Sequence, residues 1–312
     1  MKFPQFEIFA SRRGWLRGTA FAIVTLLLTS VVSAITVGTY NVENYLVTDR
    51  MADGAFRKAY PKPEAEKKAL RKAIAGFAPD ILALQEMGRA PFLEELQRDL
   101  KAEGQDYPHA IVLSAADTER HVAFLSKIPF KNVGQHSEVP IKLFGKSDLV
   151  KRGVLEVTVA TNEGDLTIFV VHLKSRRTER KDDPEGATQR AAEAEAVRDL
   201  VLKRFPDPSA VKFIVTGDWN DTRTKRPVKA MQKRGQTEIG EILRAYDSRG
   251  DTWTHAFRRE DSYSRIDYIM VSAGLKPFVE RKGTAQIYDG PGAREASDHR
   301  AVYVKLKLEP AK

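Results

Sequence analysis

An α/β domain is the fold class that the sequence predicts for residues 35–312. Short runs rich in β-branched residues alternate with segments whose apolar residues recur at helical spacing. No internal repeat interrupts this alternation, and no linker rich in proline, glycine or serine divides it. A single domain built around β-strands is therefore the simplest interpretation of the chain after residue 34.

The first elements follow from local composition. Residues 35–40 are predicted to form a strand because β-branched residues dominate the segment. Residues 62–77 are predicted to form a helix because Leu70, Ile74 and Phe77 recur on one side of a 3.6-residue period. A strand followed by a helix in this order is typical of α/β proteins.

The rest of the chain continues the alternation. Further helices are predicted at residues 91–101 and 187–205, and a shorter one at residues 238–246. The connections 127–152 and 218–237 are long and polar, which is typical of loops that bind ligands. The remaining predicted strands lie at residues 80–85, 110–113, 121–126, 154–160, 166–173, 211–216, 266–271 and 301–308.

Composition excludes several kinds of site. The chain contains no cysteine, which excludes disulfides, thiolate nucleophiles and cysteine-based zinc sites. Any bound metal must therefore use oxygen or imidazole ligands. The 51 lysines and arginines against 42 acidic residues give a formal net charge of +9. This excess favours a polyanionic partner without identifying one.

Residues 1–34 are predicted to form a signal peptide. Arg12, Arg13 and Arg17 precede an uncharged, mostly apolar run at residues 20–32, and small residues up to Ala34 follow. The run is shorter than the ~20 residues of a membrane span, although an uncleaved anchor is the alternative interpretation. The mature protein is therefore expected to be exported to the periplasm or the extracellular space, without a stable membrane span.

Six short stretches place polar groups at the ends of predicted strands, where a sheet can direct them into one cleft. The carboxylates of Glu86, Asp218, Asp267 and Asp298 would repel one another there without a cation, and Mg²⁺ suits such oxygen ligands. The stretches are Thr39-Tyr40-Asn41-Val42-Glu43-Asn44, Leu84-Gln85-Glu86, Val171-His172-Leu173-Lys174-Ser175, Thr216-Gly217-Asp218-Trp219-Asn220, Ser264-Arg265-Ile266-Asp267-Tyr268-Ile269 and Ala296-Ser297-Asp298-His299.

Each of these residues taken alone has a purely structural alternative. Asn41 suits a turn, and His172 suits a hydrogen-bonded position in the core. Asp218 suits an Asx turn after glycine, and Asp267 suits an ion pair with Arg265. The complete set in this order is much more specific than any member.

The ordered set resembles the endonuclease/exonuclease/phosphatase superfamily of deoxyribonuclease I-like, metal-dependent phosphoesterases. The resemblance extends from Ile35 to about Leu308 and includes the linking patterns at residues 79–86 and 252–254. It implies a four-layer αββα sandwich of two packed mixed β-sheets with flanking helices. It also places the site at one edge of the two sheets.

The resemblance also implies a role for each matched residue. Glu86 corresponds to the principal metal-binding carboxylate, with Asn41 and Asp298 near the metal. The expected cofactor is Mg²⁺, with Mn²⁺ or Ca²⁺ as alternatives. Asp218 corresponds to the carboxylate that activates or orients the attacking water. The other catalytic positions are Asn220 and His299 at the phosphate, Asp267 as the carboxylate that orients His299, and His172 as the second histidine.

The resemblance does not identify a carboxylate partner for His172. Some nucleases of the superfamily supply one from an earlier strand. Glu119 is near in the sequence, but Arg120 and His121 occupy the expected stretch. The partner of His172 therefore remains open at this point.

A basic stretch suggests the substrate. Residues 222–237 contain six basic and no acidic residues directly after the Asp218 motif, and such a stretch suits a phosphate backbone. A solvated surface is the structural alternative. The predicted substrate-binding residues are Lys174, Arg176, Arg223, Lys225 and Arg226.

DNA or RNA is the expected substrate of a monomeric enzyme, and no protein partner is inferred. A phospholipid, as in sphingomyelinases, or a small phosphoester is the alternative substrate on the same fold. A catalytically silent polyanion-binding protein is the alternative from another functional class.

Export provides the first testable prediction. The stretch from Ser11 to Arg17 resembles a twin-arginine motif, with Trp15 and Arg17 in place of the usual phenylalanine and lysine. Replacing Arg12 and Arg13 with lysine keeps the positive charge, so only a twin-arginine route should be blocked. Cell fractionation measures the exported share, and an unchanged share would assign the protein to the general secretion pathway.

Overall fold

The computed structural model describes residues 1–2, 4, 34–280 and 284–311. The chain divides into two units, Met1–Val31 and Val32–Lys312. The predicted signal segment therefore lies almost entirely outside the described residues, and every element below belongs to the second unit. Among the described residues, no helix is both long and apolar enough to cross a membrane.

The described residues form 21 strands and four α-helices. The strands are β1 (Ile35–Tyr45), β2 (Thr48–Ala52), β3 (Ala55–Tyr60), β4 (Ile81–Met87), β5 (His109–Leu113), β6 (His121–Ser126), β7 (Phe130–His136), β8 (Pro140–Leu143), β9 (Lys146–Leu149), β10 (Val154–Thr161), β11 (Gly164–His172), β12 (Lys212–Asp218), β13 (Lys233–Arg234), β14 (Thr237–Glu238), β15 (Glu241–Ile242), β16 (Arg244–Tyr246), β17 (His255–Phe257), β18 (Ser262–Ser264), β19 (Asp267–Val271), β20 (Thr284–Ile287) and β21 (Val302–Leu306). The helices are α1 (Glu64–Phe77), α2 (Ala90–Ala102), α3 (Ala187–Arg204) and α4 (Arg226–Gln232).

Two large mixed sheets contain most of these strands. Sheet I has the order β16-β20-β21-β1-β4-β6-β5, and sheet II has the order β15-β19-β12-β11-β10-β7. In sheet I, β1 is parallel to β4 and antiparallel to β21. In sheet II, β12 is parallel to β11 and antiparallel to β19. The strands that carry the candidate residues are thus interior strands of both sheets.

Alternation of side chains along the strands creates three hydrophobic layers. In β4, Ile81 and Ala83 join a cluster between the two sheets, whereas Leu82 and Leu84 join a cluster on the outer face of sheet I. In β11, Ile168 faces inward in the same way. Strands that are buried on both faces have apolar residues at nearly every position, which explains why they could be predicted from the sequence.

Helices cover the two outer faces. Leu70 of α1 and Leu96 of α2 pack in the outer cluster of sheet I. Val197 of α3 and Met231 of α4 pack in the outer cluster of sheet II. The order of layers is therefore helix, sheet, sheet, helix, and the predicted four-layer αββα sandwich is confirmed.

The predicted helix at residues 238–246 is wrong. This segment contains β14, β15 and β16, and it passes from the edge of sheet II to the edge of sheet I. Ile239 and Ile242 enter the outer cluster of sheet II, while Leu243 enters the cluster between the sheets. An extended chain spans such a crossing because it advances about 3.3 Å per residue, against 1.5 Å in a helix.

The two predicted polar loops also contain regular structure. The connection 127–152 includes β7 at the edge of sheet II, together with the β8–β9 hairpin. The connection 218–237 includes α4, whose second residue is Pro227, a position where proline is well tolerated. Short exposed edge strands and a helix of about two turns carry too few buried apolar residues to give a clear periodic signal.

A buried ion pair supports the segment next to the candidate site. Arg300 Nη1 lies 2.7 Å from Asp247 Oδ2, and both side chains are at most 2% exposed. Arg300 also lies 3.4 Å above the Trp253 ring centre. Burial raises the pKa of Asp247, but Arg300 and the backbone N–H groups of Asp251 and Arg249 together lower it to about 2.

Asp247→Asn is expected to destabilise the protein by roughly 3–5 kcal/mol at neutral pH, because it leaves the Arg300 charge buried without its partner. The folded-state pKa lies below the ordinary 3.8. The pair therefore stabilises fully above pH 3.8, and its contribution disappears as the pH falls through 2. Urea unfolding at several pH values measures the free energy of unfolding.

The matched control is Asp182→Asn, because Asp182 forms an exposed pair with Arg180 at 2.8 Å. Exposed pairs contribute about 0–1 kcal/mol. Equal free-energy losses in the two variants would contradict the structural role of the buried pair.

Candidate active site

Strand register brings three predicted residues into one row at the end of sheet II. The parallel pairing of β11 and β12 sets His172 beside Asp218, and the antiparallel pairing of β12 and β19 sets Asp218 beside Asp267. These positions continue the inward-facing alternation of Ile168 and Ile214. The same pattern that builds the core therefore places an imidazole and two carboxylates at the end of the space between the sheets.

Asp218 is the centre of the hydrogen-bond network. Its Oδ2 accepts from Asn41 Nδ2 at 3.0 Å and from Asn220 Nδ2 at 3.2 Å, while Oδ1 accepts from the Asn220 backbone N–H at 2.8 Å. The Asn41 bond connects sheet I to sheet II. His172 Nε2 lies 3.5 Å and His299 Nε2 lies 3.8 Å from Asp218 Oδ2.

Close strand packing at Asp218 depends on the preceding glycine. Gly217 has φ +138°, and a Cβ atom there would lie 1.9 Å from the Val171 carbonyl oxygen. Asn220 has φ +54°, which is uncommon for a residue with a side chain. The backbone on both sides of Asp218 is thus held in unusual conformations that aim the side chain into the cleft.

Burial gives Asp218 an unusual proton affinity. The side chain is 2% exposed. Burial raises its pKa to about 7, with a lowering effect from His299 and a further increase from Asp267. Near neutral pH the carboxyl group therefore lies between its two protonation states, as a proton acceptor for catalysis requires.

His299 and Asp267 form a buried pair. His299 Nδ1 lies 2.9 Å from Asp267 Oδ2. Burial lowers the pKa of His299, but the charges of Asp267 and Asp218 outweigh this effect and raise the pKa well above its ordinary value. The Thr254 hydroxyl accepts the Asp267 backbone N–H at 3.2 Å. The structure thus orients a cationic imidazole whose Nε2 faces the centre of the cluster.

His172 has a different environment. Burial, followed by the charges of Arg152 and His299, lowers its pKa well below the ordinary value. Its Nδ1 atom is buried and has no hydrogen-bond partner among the described residues. Glu119 is 61% exposed at its side chain and pairs with Arg120, so it does not serve as the carboxylate partner. His172 is therefore a neutral imidazole.

Glu86 approaches the cluster from sheet I through an unusual backbone conformation. Its φ is +61°, and its Oε2 accepts the Asn44 backbone N–H at 3.0 Å. Its Oε1 lies 4.0 Å from His172 Nε2. A β-bulge between Leu84 and Met87 interrupts the regular alternation here. The bulge explains how a residue next to the inward-facing Gln85 also reaches the site.

Two site residues were not singled out in the sequence. Glu43 Oε2 accepts the Asp298 backbone N–H at 2.8 Å, and burial together with the Asp298 charge raises the Glu43 pKa to about 7. Glu43 lies inside the first polar stretch, where only Asn41 received a role. The signal for Glu43 in the sequence was a carboxylate two residues after Asn41 in the same stretch.

His255 is the second residue that sequence reasoning missed. Its Nε2 lies 3.6 Å from Asp298 Oδ2, and its ring centre lies 4.6 Å from that of His299. Burial raises the pKa of Asp298, but the His255 contact and the charges of His299 and Lys62 together lower it to about 2. His255 directly follows the Thr252-Trp253-Thr254 pattern, which was the available signal.

Among the described residues, two groups of three side chains could hold a metal ion. In each, the ligand atoms lie within 4.8 Å of one another. The groups are His255, Asp298 and His299, and Asp218, Asp267 and His299. Asp298 belongs to the first group, whereas Glu86 and Asn41 approach Asp218 and His172 from sheet I. The metal-binding roles of Asn41 and Glu86 remain predictions.

The predicted substrate-binding residues do not form one surface. Lys174 is partly buried, with its backbone N–H bonded to Glu193 Oε2 at 2.7 Å. Arg176 lies 3.5 Å from Asp221, and Arg226 pairs with Glu195 on α3 at 2.8 Å. Lys225 is exposed at the start of α4, and Arg223 lines a cavity. Of the five, Arg223 faces an open cavity, and Arg226 turns toward the helical layer.

The sequence matches the model of the Endonuclease/Exonuclease/phosphatase family over residues 38–299. None of the curated proteins compared with the chain matches it.

Several solved structures share the fold. The human Nocturnin catalytic domain with bound sulfate is 16% identical (TM-score 0.59), with 89% of this chain and 95% of that chain covered. An endonuclease/exonuclease/phosphatase from Beutenbergia cavernae is 21% identical (TM-score 0.59; 89% and 72% covered). Staphylococcus aureus beta toxin, a mutant with bound magnesium ions, is 15% identical (TM-score 0.59; 87% and 99% covered).

The pair of His299 and Asp267 gives a prediction independent of turnover. Asp267→Asn should lower the His299 pKa by roughly one to three pH units, because an adjacent carboxylate stabilises the imidazolium by about that amount. NMR titration of the imidazole in the presence of chelator measures the change. Asp165→Asn, which removes an exposed carboxylate paired with Lys131, is the control and should leave His299 unaffected. The same His299 pKa in both variants would contradict the assigned pair.

Proposed function

The chain belongs to the endonuclease/exonuclease/phosphatase family, and from this premise we propose that it is an exported, divalent-metal-dependent hydrolase of phosphodiester bonds in nucleic acid. The observation that carries the proposal is the arrangement around Asp218. A buried carboxyl group with a pKa of about 7 lies between a cationic and a neutral imidazole, and two amides fix its position. This arrangement suits in-line attack of water on phosphorus.

Asp218 is the proposed proton acceptor. Its Oδ2 lies 3.5 Å from His172 Nε2 and 3.8 Å from His299 Nε2, at the centre of the cluster where the attacking water would be activated, and a positioned base typically contributes ~10²–10⁴-fold. The Asn41 and Asn220 amide groups both donate to Oδ2, so they hold the carboxylate in one orientation. This fixed geometry removes the need for reorganisation during reaction.

His299 is the proposed stabiliser of charge on the phosphoryl oxygens. Asp267 keeps it protonated and fixes the ring through Nδ1, which leaves the Nε2–H as a cationic donor. His172 remains neutral, so its Nε2 supplies a polar contact without a second positive charge. Fixed donors of this kind stabilise the charge that develops in the transition state.

The donor set fits a hard divalent cation. Carboxylate and imidazole atoms gather at this edge of the sheets: the ligand atoms of Asp218, Asp267 and His299 lie within 4.8 Å of one another, and Glu86 Oε1 lies 4.0 Å from His172 Nε2. Glu86, Asn41 and Asp298 would hold Mg²⁺, or Mn²⁺ or Ca²⁺ in its place. When bound, the ion would polarise a phosphoryl oxygen and offset charge on the leaving oxygen. The magnesium ions in the beta toxin structure support this choice.

Nucleic acid is the proposed substrate because of charge. The excess of basic residues over the whole chain and the six basic residues at 222–237 favour a polymer of phosphates. The proposal that the enzyme acts outside the cytoplasm rests on the arginines and the apolar run of residues 1–34.

The test is a substrate panel with the purified protein. Plasmid DNA, RNA, bis(4-nitrophenyl) phosphate and sphingomyelin are each incubated with Mg²⁺ and with EDTA. Cleavage of DNA or RNA that EDTA abolishes supports the proposal. Turnover restricted to sphingomyelin or to the small diester would overturn the choice of substrate. Salt-sensitive DNA binding without turnover of any substrate would identify a polyanion-binding protein instead.

Glu86→Gln is expected to reduce turnover by ~10²-fold or more, because it keeps the size of the side chain and removes the charge that attracts the cation. The loss should be smaller at high Mg²⁺ concentration. Steady-state rates across a Mg²⁺ series measure both effects.

Glu94→Gln, an exposed change on α2, is the matched control and should retain wild-type turnover. A folded Glu86→Gln protein with near wild-type activity and unchanged Mg²⁺ dependence would refute the role of Glu86.

A further inference from the structure

A basic cavity of about 400 Å³ opens beside the loop that follows Asp218. Its walls come from that loop, from β16 and from the segment that leads into β19. Three arginines and no acidic residue line it. The lining residues are Thr222, Arg223, Thr224, Arg244, Ala245, Tyr246, Thr252, Arg265 and Tyr268.

The three guanidinium groups lack counterions. Within the part of the chain that the structure describes, Arg223, Arg244 and Arg265 have no carboxylate partner within 4.0 Å. Arg223 Nη2 donates to the Ile242 carbonyl at 3.3 Å, and Arg265 Nη2 donates to the Leu243 carbonyl at 2.7 Å. These contacts fix the side chains without neutralising them.

Arg265 contributes a second observation at this cavity. Its Nε atom is buried and has no hydrogen-bond partner among the described residues. Arg223 and Arg265 line the same cavity, so their positive charges act on each other. Repulsion between two guanidinium groups in one cavity favours binding of an anion between them.

The cavity walls lie close in the chain to the residues of the reactive cluster. Arg265 lies two residues before Asp267, and Arg223 lies five residues after Asp218. The Tyr268 hydroxyl lies 3.0 Å from the Asp221 carbonyl and 2.7 Å from the Arg265 carbonyl. One buried side chain therefore ties together the two cavity walls that lead to the catalytic carboxylates.

We propose that this cavity binds a second phosphoryl group of the substrate, next along the molecule from the one that is attacked. The proposal rests on the proposed function and narrows its substrate class to molecules with phosphoryl groups on successive units. Guanidinium groups match phosphate oxygens in pairs. The cavity volume falls within the range of ligand pockets, and the 39% exposed Tyr246 offers an aromatic face for an attached base.

The same charges disfavour a choline phospholipid. Such a lipid carries one phosphate and a quaternary ammonium group, which three unpaired arginines would repel. The positive charge of the cavity therefore favours nucleic acid over a choline phospholipid as the substrate.

The first experiment measures binding without catalysis. Isothermal titration of pyrophosphate into the protein, with chelator present, compares wild type with the Arg223→Gln/Arg244→Gln variant. These two exposed arginines have no ion pairs, so their replacement should leave the fold intact. The variant should bind at least about tenfold more weakly, since each lost charged contact is worth roughly that factor.

Lys229→Gln/Lys233→Gln is the matched control, since it removes the same charge from exposed positions of the same stretch outside the cavity. It should bind pyrophosphate like wild type. Equal affinity of wild type and the arginine variant, or no measurable binding by wild type, would overturn the proposal.

The second experiment identifies the source of the phosphoryl group. Three substrates are compared with Mg²⁺: dithymidine monophosphate, the same dinucleotide with a 5′-phosphate, and the trinucleoside diphosphate. A lower KM for the 5′-phosphorylated dinucleotide alone identifies a terminal phosphate. A lower KM for the trinucleotide identifies the neighbouring diester. Either advantage should vanish in the Arg223→Gln/Arg244→Gln variant, whose KM for the longer substrates should rise to its KM for the simple dinucleotide.

Equal loss on all three substrates would overturn the proposal, because the arginines would then shape the reacting site itself. The proposed function fails if wild type also cleaves neither plasmid DNA nor RNA, and the pyrophosphate titration still decides whether the cavity binds phosphoryl groups.

Discussion

Buried negative charge at the meeting edge of the two sheets is the constraint on which the rest of the site depends. Asp218 ends an interior strand of sheet II and is almost fully enclosed. A carboxylate in that position is costly unless hydrogen bonds and cations compensate it. The Asn41 and Asn220 amides and the His299 imidazolium supply that compensation. Each comes from a different segment of the chain.

The αββα sandwich makes this compensation possible. The Asn41–Asp218 bond joins residues 177 positions apart because the inner faces of β1 and β12 meet at the same end of the core. The residues that support the site are as buried as those that act in it. Arg300, adjacent to His299, pairs with the enclosed Asp247 and lies over Trp253. Rigid strands and enclosed polar pairs thus limit the movement of the reactive groups.

The two histidines show how environment separates the roles of chemically identical side chains. His299 lies beside two carboxylates and is held as a cation, whereas burial near Arg152 keeps His172 neutral. The basic cavity lined by Arg223 and Arg265 differs from the reactive cluster in the sign of its charge. Negative charge is concentrated at the cluster and positive charge at the cavity, a distribution that suits a substrate with more than one phosphate.

The sequence by itself identified most of the strands and singled out the candidate residues at their ends, whose catalytic roles stay predictions. Strands buried on both faces had to be apolar throughout, so β4, β11 and β12 were recognisable, and polar residues at their ends were conspicuous. The polar stretches at Asp218 and His299 therefore pointed to a candidate site before any contact was known.

Only the tertiary structure decided the path of residues 238–246 between the two sheets and the positions of the exposed edge strands. It also decided which partner each charged side chain has. Periodicity reports which residues are buried, but it does not report what they are buried against. Glu43, His255 and the three cavity arginines acquire their roles from residues distant in the chain. Their environments exist only when the two sheets have packed together.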